Sequence, residues 1–466
     1  MRRFNIILVL LAICFGIGHA APKAPKYIFC YIGDGMGFGA VTLAQAYNRM
    51  VLGSDSLITM MTFPVASAAT THSASSGVTD SAAAGTALAT GSKTKNGMLG
   101  MNADSVPVTS ISTQLKDMGY GIGLVTTVAP DDATPAAHYA HVPHRSMFYQ
   151  IGCQAATSGF DFIAGANLRG LVDKQTGEAT DLLDVFEANG VSVVRGTEAV
   201  ATAKHPRVLM LNTSTEYDNE VGLLIDSLPG VLTLPAMTQT CLDFLKAKSP
   251  DAFFMMVEGG SIDHAAHSND AATLLREMMG FNSALDIALD FYRAHPDETL
   301  IVVTADHETG GLALANRSMG YRIEPQYLRY PAMSKERFKG QCMALNRSRM
   351  VIDWPYMKQL LTDNLNLFNA IEVSEADEQK LQEMFAIVLD YRSKGDMDAL
   401  GKSFNKFADE VFDVINRAAG IGWTTNDHSG AVVPVFAIGV GSELFAPIHD
   451  NTELPEIIRS LTGINQ

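Results

Sequence analysis

Short, continuous apolar runs recur along the chain, each closed by glycine or by a small or acidic polar residue. Tyr27 to Ile32 runs into Gly33-Asp34-Gly35, and comparable runs occupy Gly123 to Thr126, Arg207 to Leu211, Ala252 to Val257, Leu300 to Thr304 and Val433 to Val440. Apolar runs of this length bounded by turn formers read as strands buried on both faces. Between them, apolar residues recur at helical spacing over Ser110 to Met118, Leu182 to Ala188, Leu232 to Lys248 and Ala271 to Ala294. Strands alternating with helices predict the α/β class: a largely parallel sheet covered on both faces, with ligands bound at the carboxyl ends of its strands. From about residue 315 to about residue 420 the alternation stops, and amphipathic helical patterns appear over Trp354 to Ile371, Ser374 to Tyr391 and Ser403 to Ala418. This stretch is expected to form a mostly helical insertion within one large domain covering residues 21–466.

The N-terminus departs from this pattern. Arg2 and Arg3 precede an apolar run from Ile6 to Ile17, and Gly18-His19-Ala20 offers small residues for cleavage. That order predicts a signal peptide over residues 1–20 and an exported, periplasmic or secreted protein. Cys14 follows Ile13 where a lipoprotein signal wants a small residue, so a lipid anchor is not expected, and no second apolar stretch predicts a membrane span. The 466-residue chain is 47% hydrophobic and 18% charged, ample for a core. Its net charge of −16 becomes about −18 once Arg2 and Arg3 are removed with the signal. An acidic surface argues against nucleic acid as a specific partner and suits a site that collects divalent cations. Cys30, Cys153, Cys241 and Cys342 are too widely spaced for a zinc knuckle, and the sequence gives no disulfide pairing.

The polar residues at the strand ends carry the chemistry. Asp34 sits in a glycine-rich turn, and alone it reads as a turn former. In Val78-Thr79-Asp80-Ser81-Ala82-Ala83-Ala84-Gly85-Thr86, small residues follow Ser81 as if a helix began there. A helix start attracts an anion such as phosphate, although an N-capping Asp or Ser accounts equally well for this segment taken alone. In the segment from Asp131 to Arg145, Thr134 offers a hydroxyl suited to Mg²⁺, and Arg145 could clamp phosphate oxygens. His138, His141 and His144 would share a helical face only without Pro143, so they read as packing or surface residues. Glu258 ends one apolar run and could serve a separate cation. Asp263 and His267 lie four apart, the spacing that puts a carboxylate and an imidazole on one helical face as a zinc pair. Asp306 and His307 follow another strand; they can share one ion only if that strand has ended, which the glycines at 310 and 311 permit. His428 would give Asp263 and His267 a third partner, and three protein ligands leave a zinc open to water or substrate. Five of these six segments flank an apolar strand, which places Asp, Glu, His, Ser and Arg on one edge of one sheet.

At this point the sequence resembles the alkaline phosphatases. Val78 to Thr86 matches the family's signature around its nucleophile, and the order Asp34, Ser81, Thr134, Arg145, Glu258, Asp263, His267, Asp306, His307, His428 follows the family across residues 26–315 and 421–460. The resemblance implies a three-layer α/β/α sandwich and two zinc ions with one magnesium. One zinc would be held by Asp263, His267 and His428, and the other by Asp34, Asp306 and His307 facing Ser81. Magnesium would take Asp34, Thr134 and Glu258, and Arg145 would hold the phosphate. Asp132 and His264 match positions near the magnesium that vary within the family. The implied reaction is hydrolysis of small-molecule phosphate monoesters through a phosphoserine at Ser81. A phosphodiesterase or sulfatase of the same superfamily, and a non-catalytic phosphate- or metal-binding protein, are the competing readings. A homodimer is compatible with the resemblance, but oligomeric state, physiological substrate and pH optimum are not legible.

Overall fold

The first apolar run forms β1 (Tyr27–Ile32), and its alternation shows why it is continuous. Phe29 and Tyr31 point toward the helix Ala271–Ala294, where Phe29 meets Phe291 edge-on and the Tyr31 hydroxyl donates to the Ala284 carbonyl at 2.7 Å. Cys30 and Ile32 point the other way and share a cavity lining with Leu88, Ile111 and Leu454. A strand sandwiched between two helical layers has no polar face to show. Each fully buried Phe or Ile contributes about 1.5–3 kcal/mol.

The computed structural model describes residues 24–173, 181–214, 220–347 and 350–464. The expected signal peptide over residues 1–20 lies outside them. The remaining strands are β2 (Val65–Thr70), β3 (Gly121–Thr126), β4 (Phe162–Ala164), β5 (Val191–Arg195), β6 (Arg207–Leu211), β7 (Phe253–Glu258), β8 (Thr299–Thr304), β9 (Glu308–Thr309), β10 (His428–Ser429), β11 (Val433–Gly439) and β12 (His449–Asp450). Ten of them form one sheet in the order β12-β2-β11-β8-β1-β7-β3-β4-β6-β5, while β9 and β10 pair separately. Among its described strands only β11 runs against its neighbours, antiparallel to both β8 and β2. The architecture is the expected three-layer α/β/α sandwich with a largely parallel sheet. β2 reads Val-Ala-Ser-Ala-Ala-Thr and lacks the apolar run that marks the central strands.

The register fixes what the sheet can present. Ile32 pairs with Glu258 on one side and Thr304 on the other, and Thr126 also pairs with Glu258. Four adjacent parallel strands therefore end level, and Asp34, Glu258, Asp306 and the 131–134 turn leave the same edge. The segments between residues 315 and 420 contain the helices Lys335–Arg347, Trp354–Leu365, Glu375–Lys394 and Met397–Ala419. They bury Phe338, Phe385, Phe404, Phe407 and Phe412 among themselves. Two polar ties bind them to the turn that follows the helix carrying Asp263 (Ser261–His267): Lys335 Nζ donates to the Ser268 carbonyl at 2.8 Å, and Asn416 Nδ2 donates to the Asn269 carbonyl at 2.7 Å.

Candidate active site and metal centre

Ser81 opens the fully buried helix Ser81–Thr90. Asp80 is its N-cap: one carboxylate oxygen accepts from the Ala83 amide at 3.0 Å and the other from the Gly97 amide at 3.0 Å. Such a cap stabilises the helix by about 1 kcal/mol. Gly85 allows the helix to lie against the 133–136 turn, since a Cβ there would sit 3.2 Å from the Thr134 Cα. Close packing at Gly85 thus brings Ser81 and Thr134 to the same edge.

Hydrogen bonds fix the histidine tautomers. His267 Nδ1–H donates to the Asn426 carbonyl at 2.6 Å, and His428 Nδ1–H donates to the Thr79 carbonyl at 2.8 Å. A carbonyl cannot donate, so in the neutral rings both Nε2 atoms carry lone pairs. These two Nε2 atoms lie 3.1 Å apart, with Asp263 carboxylate oxygens 3.3 Å from His267 and 3.8 Å from His428. Thr309 Oγ1 donates to Asp263 Oδ1 at 2.5 Å and so accepts from His307 Nδ1–H at 3.2 Å. His307 Nε2 is then also a lone pair. It lies 3.2 Å from Ser81 Oγ, 3.3 Å from Asp34 Oδ1 and 3.2 Å from Asp306 Oδ2.

These spacings test the fit of a cation. Ligands about 2.0–2.1 Å from a tetrahedral zinc sit about 3.3 Å apart. Asp34 Oδ1 and Asp306 Oδ2 are buried and have no hydrogen-bond partner, and Thr134 Oγ1 and Glu258 Oε1 share that condition. Burying unpartnered oxygens is costly unless something else satisfies them. Lone pairs and carboxylates converging at tetrahedral spacing are what a zinc requires, while a hydroxyl beside carboxylates suits magnesium. His307 also falls within 4.8 Å of Asp263 and His428, so it could be grouped with either set. Its Nε2 contacts with Asp34 and Asp306 would group it with them, leaving His267 to stand with Asp263 and His428. The Ser81–His307 contact alone would suit a serine–histidine base pair. Two undonated carboxylate oxygens at the same nitrogen have no place in that arrangement.

Arg145 approaches from the rim. Its Nη2 donates to Asp132 Oδ1 at 2.9 Å, and its Nη1 lies 3.4 Å from Asp80. Asp80 therefore both caps the Ser81 helix and steadies the arginine. His264 Nδ1 pairs with Glu220 at 3.1 Å. His138 is buried with Nδ1 against Ser112 Oγ at 2.6 Å, a packing role, while His141 Nδ1 bonds the distant Gly100 carbonyl at 2.6 Å and His144 Nδ1 the nearby Ser146 Oγ at 2.7 Å. Cys30, Cys153, Cys241 and Cys342 are all unpaired. Thr309, which ties His307 to Asp263, and the carbonyls of Thr79 and Asn426 follow no spacing rule and were not among the candidates.

The electrostatics carry the same message. Burial, reinforced by the neighbouring carboxylates Asp306, Asp263 and Glu258, holds Asp34 well above the ordinary carboxylate range. Burial lifts Asp306 to about 7 and Glu258 to about 8, and lowers His307 to about 4. Burial also acts to raise Asp263, but the His267 hydrogen bond and the adjacent imidazoles outweigh it and the net shift is downward. Carboxyls with raised native pKa values stabilise the fold at low pH and lose that contribution as pH rises through the native value. The depressed His307 acts oppositely, but only below its ordinary pKa near 6.5. Metal-free protein is therefore expected to unfold several degrees lower at pH 9 than at pH 6.5, with cation binding reducing the difference. Calorimetry of chelator-dialysed protein checks this; equal or higher stability at pH 9 would contradict it.

Comparison with known proteins gives the family and the fold. The family model described as alkaline phosphatase matches residues 25–173 and 162–464. The chain is 30% identical to alkaline phosphatase 4 of Bacillus subtilis, over 93% of this chain and 88% of that protein. It is 28% identical to the repressible alkaline phosphatase of Saccharomyces cerevisiae, over 99% of this chain and 86% of that one. Among solved structures, the cold-active alkaline phosphatase from a Shewanella species superposes with a TM-score of 0.76 at 29% identity, covering 93% of this chain and 99% of that one. A variant of the TAB5 alkaline phosphatase with Mg bound in the M3 site superposes with a TM-score of 0.65 at 25% identity, covering 96% and 100% of the two chains.

Proposed function

The chain belongs to the alkaline phosphatase family and is a phosphoric monoester hydrolase, and from that premise we propose that it hydrolyses small-molecule phosphate monoesters by way of a phosphoserine at Ser81, with two zinc ions and one magnesium. The observation that carries the reading is the convergence of Ser81 Oγ, Asp34 Oδ1 and Asp306 Oδ2 on one unprotonated nitrogen, His307 Nε2, at 3.2–3.3 Å. One zinc would take Asp34, Asp306 and His307 beside Ser81, the other Asp263, His267 and His428. Magnesium would take Asp34, Thr134 and Glu258, where Asp34 Oδ1, Thr134 Oγ1 and Glu258 Oε1 are buried without hydrogen-bond partners. When bound, these cations supply Lewis-acid stabilisation of charge on the attacking and departing oxygens.

The chain's own residues do the rest. Ser81, fixed at a helix start, presents Oγ for in-line attack on phosphorus. The Oγ–P bond forms as the bond to the substrate's ester oxygen breaks; the serine proton passes to solvent and the departing alkoxide takes one up, leaving a free alcohol and the phosphoryl group on Ser81. Water then attacks phosphorus from the vacated side, the P–Oγ bond breaks, and inorganic phosphate leaves as a proton returns to the serine oxygen. Arg145, held between Asp80 and Asp132, offers a guanidinium to the equatorial oxygens, and the helix dipole adds to it. Thr309 orients His307 and Asp263 together, so both ligand sets depend on one hydroxyl.

Arg145→Ala is expected to lower kcat/KM for monoesters about 10²–10³-fold with metal content unchanged. Loss of less than about threefold would remove Arg145 from the phosphate site. The reading as a whole is tested with a chromogenic monoester and its matched diester at alkaline pH, with and without chelator. Chelator-sensitive preference for the monoester is predicted. A diester preference would favour the phosphodiesterase alternative, and no chelator-sensitive turnover would favour a binding protein.

Export is part of the proposal and rests on the residue 1–20 pattern. No helix among the described residues is long and apolar enough to cross a membrane. We also treat the helices between 315 and 420 as an insertion, tied at Lys335 and Asn416 to the turn that follows the Asp263 helix.

A further inference from the structure

Asp132 is shared between two guanidinium groups. Arg145 Nη2 donates to its Oδ1 at 2.9 Å, and Arg169 Nη1 donates to its Oδ2 at 3.0 Å. Arg169 follows no motif and lies at the end of a segment with no other candidate chemistry, yet it is held firmly. Its guanidinium stacks over the Phe148 ring with 4.2 Å to the centroid. Its amide and that of Gly170 donate to the fully buried Asp131 carboxylate, the Arg169 amide at 2.9 Å and the Gly170 amide at 3.0 Å to the same oxygen. The residue beside Asp132 in sequence thus anchors the backbone of the arginine that pairs with Asp132. Stacking and pairing hold the side chain in one pose although it is 31% exposed, so it keeps its place without a bound ligand.

The consequence lies in the charge count around the phosphate clamp. Asp80 and Asp132 are the two carboxylates that hold Arg145. With Arg145 alone, two negative groups would face one positive group at the place where a dianionic phosphoryl group must bind. Arg169 brings the set to two and two, and by occupying Oδ2 it weakens the hold of Asp132 on Arg145. A guanidinium less committed to its carboxylates has more of its field left for the substrate.

We propose that Arg169 is a positioning residue that keeps Arg145 available and so sets the preference for dianionic monoesters over monoanionic diesters. This rests on the proposed phosphomonoesterase reading, with Arg145 on the phosphate. The influence of Arg169 passes through Asp132 and Arg145 and needs no contact with substrate. Because the field that Arg145 loses to a freed Asp132 is felt in proportion to substrate charge, monoesters and inorganic phosphate should suffer more than diesters.

The test uses the metal-loaded enzyme and the variants Arg169→Met, Arg169→Lys and Arg169→Met combined with Asp132→Asn. Arg169→Met should raise the monoester KM and the inhibition constant of inorganic phosphate about 10-fold, with kcat and the diester kcat/KM changed less than about threefold. Arg169→Lys should retain most of the wild-type values, and adding Asp132→Asn to Arg169→Met should recover most of the loss. Unfolding temperatures of all variants establish that the fold is intact. Equal losses for monoester and diester, an unchanged KM, or a loss undiminished in the double variant would each overturn the assignment. A wild type lacking monoesterase activity would instead overturn the proposed function, so the two failures are distinguishable.

Discussion

Ser81→Ala is expected to lower monoester turnover about 10⁴-fold or more while leaving zinc content and the unfolding temperature near wild type. The expectation follows from position. Ser81 Oγ lies 3.2 Å from His307 Nε2 but is not needed to hold it, because Thr309 fixes the ring from its far side. The helix that carries Ser81 is capped by Asp80, not by the serine. Removing the hydroxyl therefore takes away the attacking atom and little else. Steady-state kinetics and metal analysis on the same preparation check this. Activity within tenfold of wild type would mean that water attacks phosphorus directly, whereas lost metal would mean that the serine is mainly a ligand.

The second large effect is expected at Asp306→Asn. Asp306 is wholly buried, accepts from the Gly35 and His307 amides through Oδ1, and leaves Oδ2 without a partner. An amide of the same shape keeps the first oxygen's bonds and removes the anionic oxygen. Zinc bound beside Ser81 should fall well below one per chain, and kcat/KM should fall about 10³-fold. Stability should move in opposite directions. The metal-free variant should be more stable than the metal-free wild type at pH 8, because one crowded buried carboxylate is gone. The metal-loaded variant should be less stable than the loaded wild type, because binding contributes less. Thermal unfolding with and without zinc measures both signs, and full zinc content with wild-type activity would remove Asp306 from the ligand set.

Much of this site was legible because its residues sit where strands end. The apolar runs before Asp34, Glu258 and Asp306 mark buried parallel strands, and the register that aligns Ile32 with Glu258 and Thr304 makes their ends level. The four-residue spacing of Asp263 and His267 anticipated a shared helical face, seen at 3.3 Å. Other features depend on contacts between segments far apart in the chain. Thr309 gains its role from a turn in which Gly310 and Gly311 both take positive φ, bringing its hydroxyl between His307 and Asp263. Arg169 matters through a carboxylate 37 residues away. β2 is invisible as an apolar run because its small residues fit between β11 and β12 without bulk.

The central claim is that the phosphoryl group passes through Ser81 on its way to water. The stereochemical course at phosphorus tests it most directly, using a monoester made chiral with oxygen isotopes and the metal-loaded wild-type enzyme. Two in-line displacements predict retention of configuration in transfer of the phosphoryl group, whereas inversion would show a single direct attack and contradict the account.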